Sequence, residues 1–331
     1  MTKPAPNVAV ATAALVAILL VNRVVAQGAD SAIAIVPGAA KDAEYTCPGG
    51  TPTSSRAAGL ETKDWDKNAL ACAADEWFAL SNASPKDSDT TMRALQATTA
   101  YINHVNGTWD YDLYGIHGPE WLARVARASK QGNILEARLA TSGREDAATI
   151  TTRALYKLAW SDHVADTKTR LGESRAAIAL LERAVSLNST AVDGNALWQL
   201  GKVYYELPEF AGGDPGKGLQ ILNRAYHQSP NNPALLRYAA YVDVQENDGA
   251  GAQEKLAKLL SIEPGSAGLQ VLSDQLKGGE ELAARLGDSR LEKQLTEKRT
   301  RLLDQHPQIL RRLPSAANMH QGVDPITGKD Y

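Results

Sequence analysis

The chain has 331 residues, of which 44% are hydrophobic and 22% charged, a composition that argues for a folded globular protein and against a disordered one. Lys and Arg number 35 against 38 Asp and Glu, a net charge of −3, without the basic excess of a nucleic-acid binder. Two Cys and six scattered His leave no basis for a zinc-stapled domain, while six Trp and eleven Tyr against two Phe supply rings with a polar tip, suited to half-buried faces and ligand-lined grooves.

Lys3 precedes an apolar run from Val8 to Val21; Asn22-Arg23 interrupts it and Val24-Val25-Ala26 follows. Residues 1–26 therefore read either as a secretory signal cleaved after Ala26 or as a retained membrane anchor touching the bilayer through residues 8–26, with Arg23 snorkelling. Either reading puts the rest of the chain on the periplasmic side of the inner membrane, exported or N-terminally anchored. Cys47 and Cys72 fit that compartment. A structural disulfide between them closes a loop of 24 residues and stabilises by about 3 kcal/mol; unpaired buried thiols are the alternative, and no C-x-x-C motif points to redox chemistry. Residues 27–60, rich in Gly, Ala, Pro, Ser and Thr around Cys47-Pro48-Gly49-Gly50-Thr51-Pro52, read as a flexible linker or arm.

Residues 61–145 form an N-terminal helical region. Trp65, Ala69, Cys72, Trp77 and Leu80 share a helical face that ends at Ser84-Pro85. Asp87-Ser88-Asp89 caps the next helix, with Met92, Leu95, Thr99, Ile102 and Val105 at helical spacing. Gly118-Pro119-Glu120 opens a third, with Trp121, Leu122, Val125 and Ala126 on its apolar side. Between these two lies an aromatic cluster, Trp109, Tyr111, Tyr114 and Trp121, which reads as a binding lid or as a plug on the end of a helical layer.

The strongest internal signal is a repeat within residues 146–305. Pro230 and Pro264 stand 34 residues apart, and the same offset carries Gly218 to Ala252, Leu222 to Leu256 and Ala225 to Leu259. Small residues let two antiparallel helices approach and Pro ends the second one, which is the spacing of a tetratricopeptide (TPR) repeat. Leu197-x-x-Leu200-Gly201-x-x-Tyr204 reproduces its first half, and Leu155-x-x-Leu158-Ala159 with Ala177, Leu181 and Ala184 does so upstream. Three repeats follow, about 149–190, 193–230 and 232–265; the first is lengthened between its helices and the second carries the insertion Leu207-Pro208-Glu209-Phe210-Ala211-Gly212-Gly213. Leu282, Leu286, Leu291, Leu295, Leu302 and Leu303 read as a capping helix broken at Gly278-Gly279 and stopped by Pro307, and residues 306–331 as an extended tail. The expected fold is all-α: an irregular TPR-type helical solenoid with additional N-terminal helices and a C-terminal capping helix.

Helical geometry singles out one face. Trp198, Lys202 and Tyr205 lie one step on from the positions that close their own repeat. Tyr156, Trp160 and His163 are equivalent in the first repeat, and Arg237, Tyr241 and Val244 in the third. First helices line the concave side of a solenoid, so these residues form an aromatic floor with Lys and Arg beside it, suited to an extended peptide or an organic anion, unless the rings pack under neighbouring elements. No nucleophile elbow, H-E-x-x-H helix or P-loop is present, and His104, His117, His163, His227, His306 and His320 show no metal-ligand spacing. The expectation is a protein without catalytic residues, metal or cofactor.

Leu200-Gly201-x-x-Tyr204, Gly212-Gly213-Asp214-Pro215-x-Lys217-Gly218 and Ala225 followed by Ser229-Pro230 resemble tetratricopeptide proteins of bacterial envelopes. The lengthened first repeat and the Gly-Gly-Asp insertion resemble, more narrowly, the T component of tripartite ATP-independent periplasmic (TRAP) transporters. That resemblance implies partnership with a periplasmic solute receptor and ligand handling in a helical pocket. Three roles stand: an envelope scaffold or adaptor holding a peptide segment of another envelope protein in the aromatic groove; a TRAP-type accessory binding a small organic solute; and an accessory subunit or assembly factor of a membrane-bound enzyme complex.

Overall fold

The computed structural model describes residues 45–105, 119–161, 167–192, 194–264 and 268–310. The expected signal or anchor, most of the arm, Trp109, Tyr111, Tyr114, His163, the side chain of Trp121 and the tail after residue 310 lie outside the described residues. Among the described residues the chain is all helical, without strands, and its helices pack in neighbouring pairs as an all-α solenoid.

Four helices build the N-terminal layer: α1 (Ser54–Glu61), α2 (Lys67–Ala83), α3 (Ser88–Val105) and α4 (Pro119–Thr141). Helix α1 falls inside the stretch expected to be an irregular arm. Thr53 explains it, because its hydroxyl accepts from the Arg56 amide and caps a turn whose Ala57 is fully buried. Asp66 caps α2 in the same way through the Asn68 and Ala69 amides. Helix α3 packs against α2 and α4, and also reaches α5, so the first layer is continuous with the repeats.

The repeats are hairpins: α5 (Ala147–Ser161) with α6 (Thr167–Leu187), α7 (Asn195–Glu206) with α8 (Pro215–Gln228), and α9 (Pro233–Gln245) with α10 (Gly249–Leu260). The 34-residue offset lands on equivalent packing positions, since Gly218, Leu222 and Ala225 are buried on α8 as Ala252, Leu256 and Leu259 are on α10. Gly218 has a specific reason to be small: a Cβ there would stand 2.7 Å from the Tyr205 amide nitrogen and 2.9 Å from the Gly201 carbonyl oxygen. The insertion is a single 3-10 turn, Glu209–Ala211, that ends at Gly212 with φ of 100°. It leaves Phe210 exposed.

The last section differs from the expected capping helix. Helix α11 (Leu269–Arg285) runs unbroken through Gly278 and Gly279, and the turn comes at Gly287, with φ of 70°, before α12 (Ser289–Gln305). The two glycines serve packing instead of interruption. A Cβ on Gly278 would meet the Arg237 stem at 2.5 Å, and one on Gly279 would press on Leu259 at 3.2 Å. The result is a fourth hairpin, which continues the solenoid. Pro307 starts a short helix, α13 (Pro307–Leu310), whose Ile309 is fully buried.

Asp146, just before α5, accepts from the amide and hydroxyl of Thr149, each at 2.9 Å, and pairs with Arg144. Partial burial works to raise its pKa, but the bonds from Arg144 and Thr149 outweigh this and bring it down to about 2. A depressed carboxylate contributes stability above its unfolded pKa of about 4, and that contribution is lost as pH falls toward the folded value. Asp146→Asn should therefore melt below the parent at pH 6, by less than about 1 kcal/mol because solvent screens the pair. The gap should close between pH 4 and pH 2 in calorimetric scans.

Candidate functional site

The face expected to form a groove is best developed between α7 and α9. Trp198 is 6% exposed, and its indole nitrogen donates to Asn195 Oδ1 at 2.7 Å. Its ring lies 6.3 Å from that of Tyr238, which is 1% exposed, and Tyr238 lies 5.9 Å from Tyr241. These tilted rings form a ladder from α7 into α9. Lys202 places its ammonium 5.5 Å from the Tyr238 ring centroid and 3.9 Å from Glu206. Tyr205 donates its hydroxyl to Glu246 at 2.8 Å; burial first, and then the Glu246 carboxylate, push that phenol well above its ordinary pKa. Arg237 turns away toward α11 and donates to Gln275 Oε1 at 2.8 Å.

Four of the expected residues thus occur together, Trp198, Lys202, Tyr205 and Tyr241, while Arg237 leaves them for α11. Trp198 packs as core, beneath a half-buried surface of Lys202, Tyr205 and Tyr241. Tyr156 and Trp160 belong elsewhere, and Tyr156 is corrected from groove floor to core. It is 1% exposed, its hydroxyl donates to the Ser129 carbonyl at 2.9 Å and Asn133 Oδ1 at 2.7 Å, and its ring occupies the space a Cβ on Gly132 would need. The cause is α4, which covers the first repeat and packs on the Tyr156 ring. Trp160 is half-buried against the same N-terminal cluster.

A second site had no signal in the spacing of the sequence. Asp64, in the turn between α1 and α2, accepts from the Gln270 amide at 3.0 Å and the Val271 amide at 3.4 Å, 206 residues away in the first case. It caps the N-terminus of α11 from the opposite end of the chain. Gly268 makes room for it, since a Cβ there would stand 2.0 Å from Asp64 Oδ2. The first and last layers therefore meet, and between them lies a cleft of about 280 Å³ lined by Glu61, Asp64, Arg93, Gln96, His104 and Gln270 over Leu70, Ala73, Ala97, Ala100 and Val271. Glu61 pairs with Arg93 at its edge; burial raises the Glu61 pKa and Arg93 opposes that rise. Asp64→Ala should cost about 1 kcal/mol, the usual worth of a cap, and should speed hydrogen exchange at the Gln270 and Val271 amides before other amides of α11.

Residues 116–278 match the family model of the TRAP transporter T-component. The T-component match begins just before α4 and ends within α11, so it takes in all three hairpins and the whole Trp198–Tyr241 ladder. The layer of α1, α2 and α3 lies outside it. No curated protein matches the chain. Among the described residues no group of His, Cys, Asp and Glu is placed to hold a metal, and no helix is long and apolar enough to cross a membrane.

Proposed function

We propose that the chain is a non-catalytic accessory of a TRAP-type transporter, working as its T component beside the solute receptor on the periplasmic side. The T-component match over residues 116–278 carries this reading, because it spans the hairpins that hold the aromatic ladder. The face of α7 and α9 offers Lys202, Tyr205 and Tyr241 at a half-buried surface backed by Trp198 and Tyr238, which is a rigid, ring-rich footing for a partner. Cross-linking in cells followed by purification of the chain should recover a TRAP solute receptor, and Lys202→Ala with Tyr241→Ala should reduce the yield. Recovery of the subunits of a membrane-bound enzyme complex instead would overturn the proposal.

The scaffold reading, in which another envelope protein lays a peptide segment along the same face, draws on the run of three rings Trp198, Tyr238 and Tyr241. It predicts a protein partner that is retained with no transporter component present.

A further inference from the structure

The insertion that lengthens the second repeat is a fixed loop with one ring left outside it. Leu207 packs on the core of α5, α6 and α7, and Ala211 is fully buried. Phe210, between them, is 68% exposed, the most exposed large apolar side chain among the described residues. The other Phe of the chain, Phe78, packs against the N-terminal core. Several bonds hold the loop. The Ala211 and Gly213 amides donate to the Pro208 carbonyl at 2.8 and 3.0 Å, and the Asp214 amide donates to the Tyr204 carbonyl at 2.9 Å. Arg175 of α6 donates to the Phe210 carbonyl itself at 2.9 Å. Gly213 has no room for a side chain, because a Cβ there would stand 1.7 Å from the Leu207 carbonyl oxygen. A single exposed apolar residue is ordinary on a protein surface. A ring held out on a turn pinned from both sides is preorganised for a partner.

We propose that Phe210 anchors the contact with the solute receptor, its ring entering an apolar pocket of the receptor beside the face of α7 and α9. The inference rests on the transporter reading above. The loop lies within the matched residues 116–278 and leaves directly from the end of α7, where Glu206 pairs with Lys202 of that face. A ring already fixed outside loses little freedom on binding and gains its burial, which is how a few aromatic anchors come to dominate an interface. Charges near the loop are of both signs, Arg175 and Lys217 against Glu182, Glu209 and Asp214, so the ring and not a net charge carries the contact. Affinity should therefore change little as salt is raised.

Calorimetric titration of the full chain with the purified TRAP solute receptor recovered by cross-linking tests it. Phe210→Ser should weaken binding at least roughly tenfold. Its melting temperature should hold, because most of the ring lies outside the fold. Phe210→Leu keeps an apolar side chain on the same turn and should retain most of the affinity. A Phe210→Ser variant that binds the receptor like the parent would overturn this inference and leave the transporter reading standing, as would a steep loss of affinity with salt. A parent that does not bind the receptor would overturn both. Sedimentation of the same proteins covers the remaining occupant: a parent that self-associates beside a monomeric Phe210→Ser variant would place the ring between copies of the chain and overturn the inference as well.

Discussion

Trp198→Ala should lower the stability of the fold by about 3 kcal/mol, the usual cost of emptying a large aromatic from a packed core. The ring sits in a cluster with Leu197, Leu222, Ala225, Leu235 and Tyr238, drawn from three helices, so its removal leaves a cavity that no single side chain can close. Loss of the bond to Asn195 Oδ1 adds little, because that acceptor lies within reach of water. Tyr241→Ala and Lys202→Ala should behave differently. Both side chains are half-buried at the same seam, and each should cost no more than about 1 kcal/mol. Urea unfolding of the three variants separates these effects. A Trp198→Ala variant as stable as the parent would mean that the ring stands free of α9, whereas the expected loss makes it the support on which Tyr238 and Tyr241 rest.

That contrast marks where the sequence was legible. Helical spacing identifies which residues share a face, and Trp198, Lys202 and Tyr205 do share one with Tyr241 on the next hairpin, whereas Arg237 turns to α11. Spacing does not report what covers the face. At Tyr156 the cover is α4, which makes room for the ring at Gly132 and meets its hydroxyl with Asn133. The hairpins themselves were readable because Gly218, Leu222 and Ala225 recur as Ala252, Leu256 and Leu259, and every one of these positions is buried. Gly278-Gly279 misled for the opposite reason. A glycine pair reads as a break by backbone freedom alone, yet here both sit inside a helix held by Arg237, Leu256 and Leu259 on neighbouring elements. The cleft was out of reach altogether. Asp64 gives no local sign that it caps a helix beginning at Leu269, because the amide it accepts from lies 206 residues away in the chain.

The second large effect concerns Cys47 and Cys72, which form a disulfide with Cα atoms 5.4 Å apart. Replacing both by Ala should cost about 3 kcal/mol, the chain-entropy worth of closing a loop of this length. The bridge also anchors a segment that makes few apolar contacts of its own. Tyr45 donates its hydroxyl to Asp75 Oδ2 at 2.8 Å, and its ring stands 5.1 Å from the Arg124 guanidinium and 5.2 Å from that of Arg127. Asp75 accepts in turn from Arg127 and Gln131, each at 2.7 Å, so Tyr45 completes a polar knot between α2 and α4. Further along, Thr53 donates its amide to Glu76 Oε2 at 3.2 Å and Arg56 pairs with the same carboxylate. The bridge holds these groups at high effective concentration; without it, each contact must recover its own ordering entropy. Tyr45→Phe should therefore cost less in the Cys47→Ala, Cys72→Ala background than in the oxidised parent, a coupling that a double-mutant cycle in guanidinium reads directly. Equal midpoints for the oxidised and reduced chains would show that the knot around Asp75 is sufficient to hold the arm alone. The small size of that polar contact, set against the loop entropy, argues that it is not.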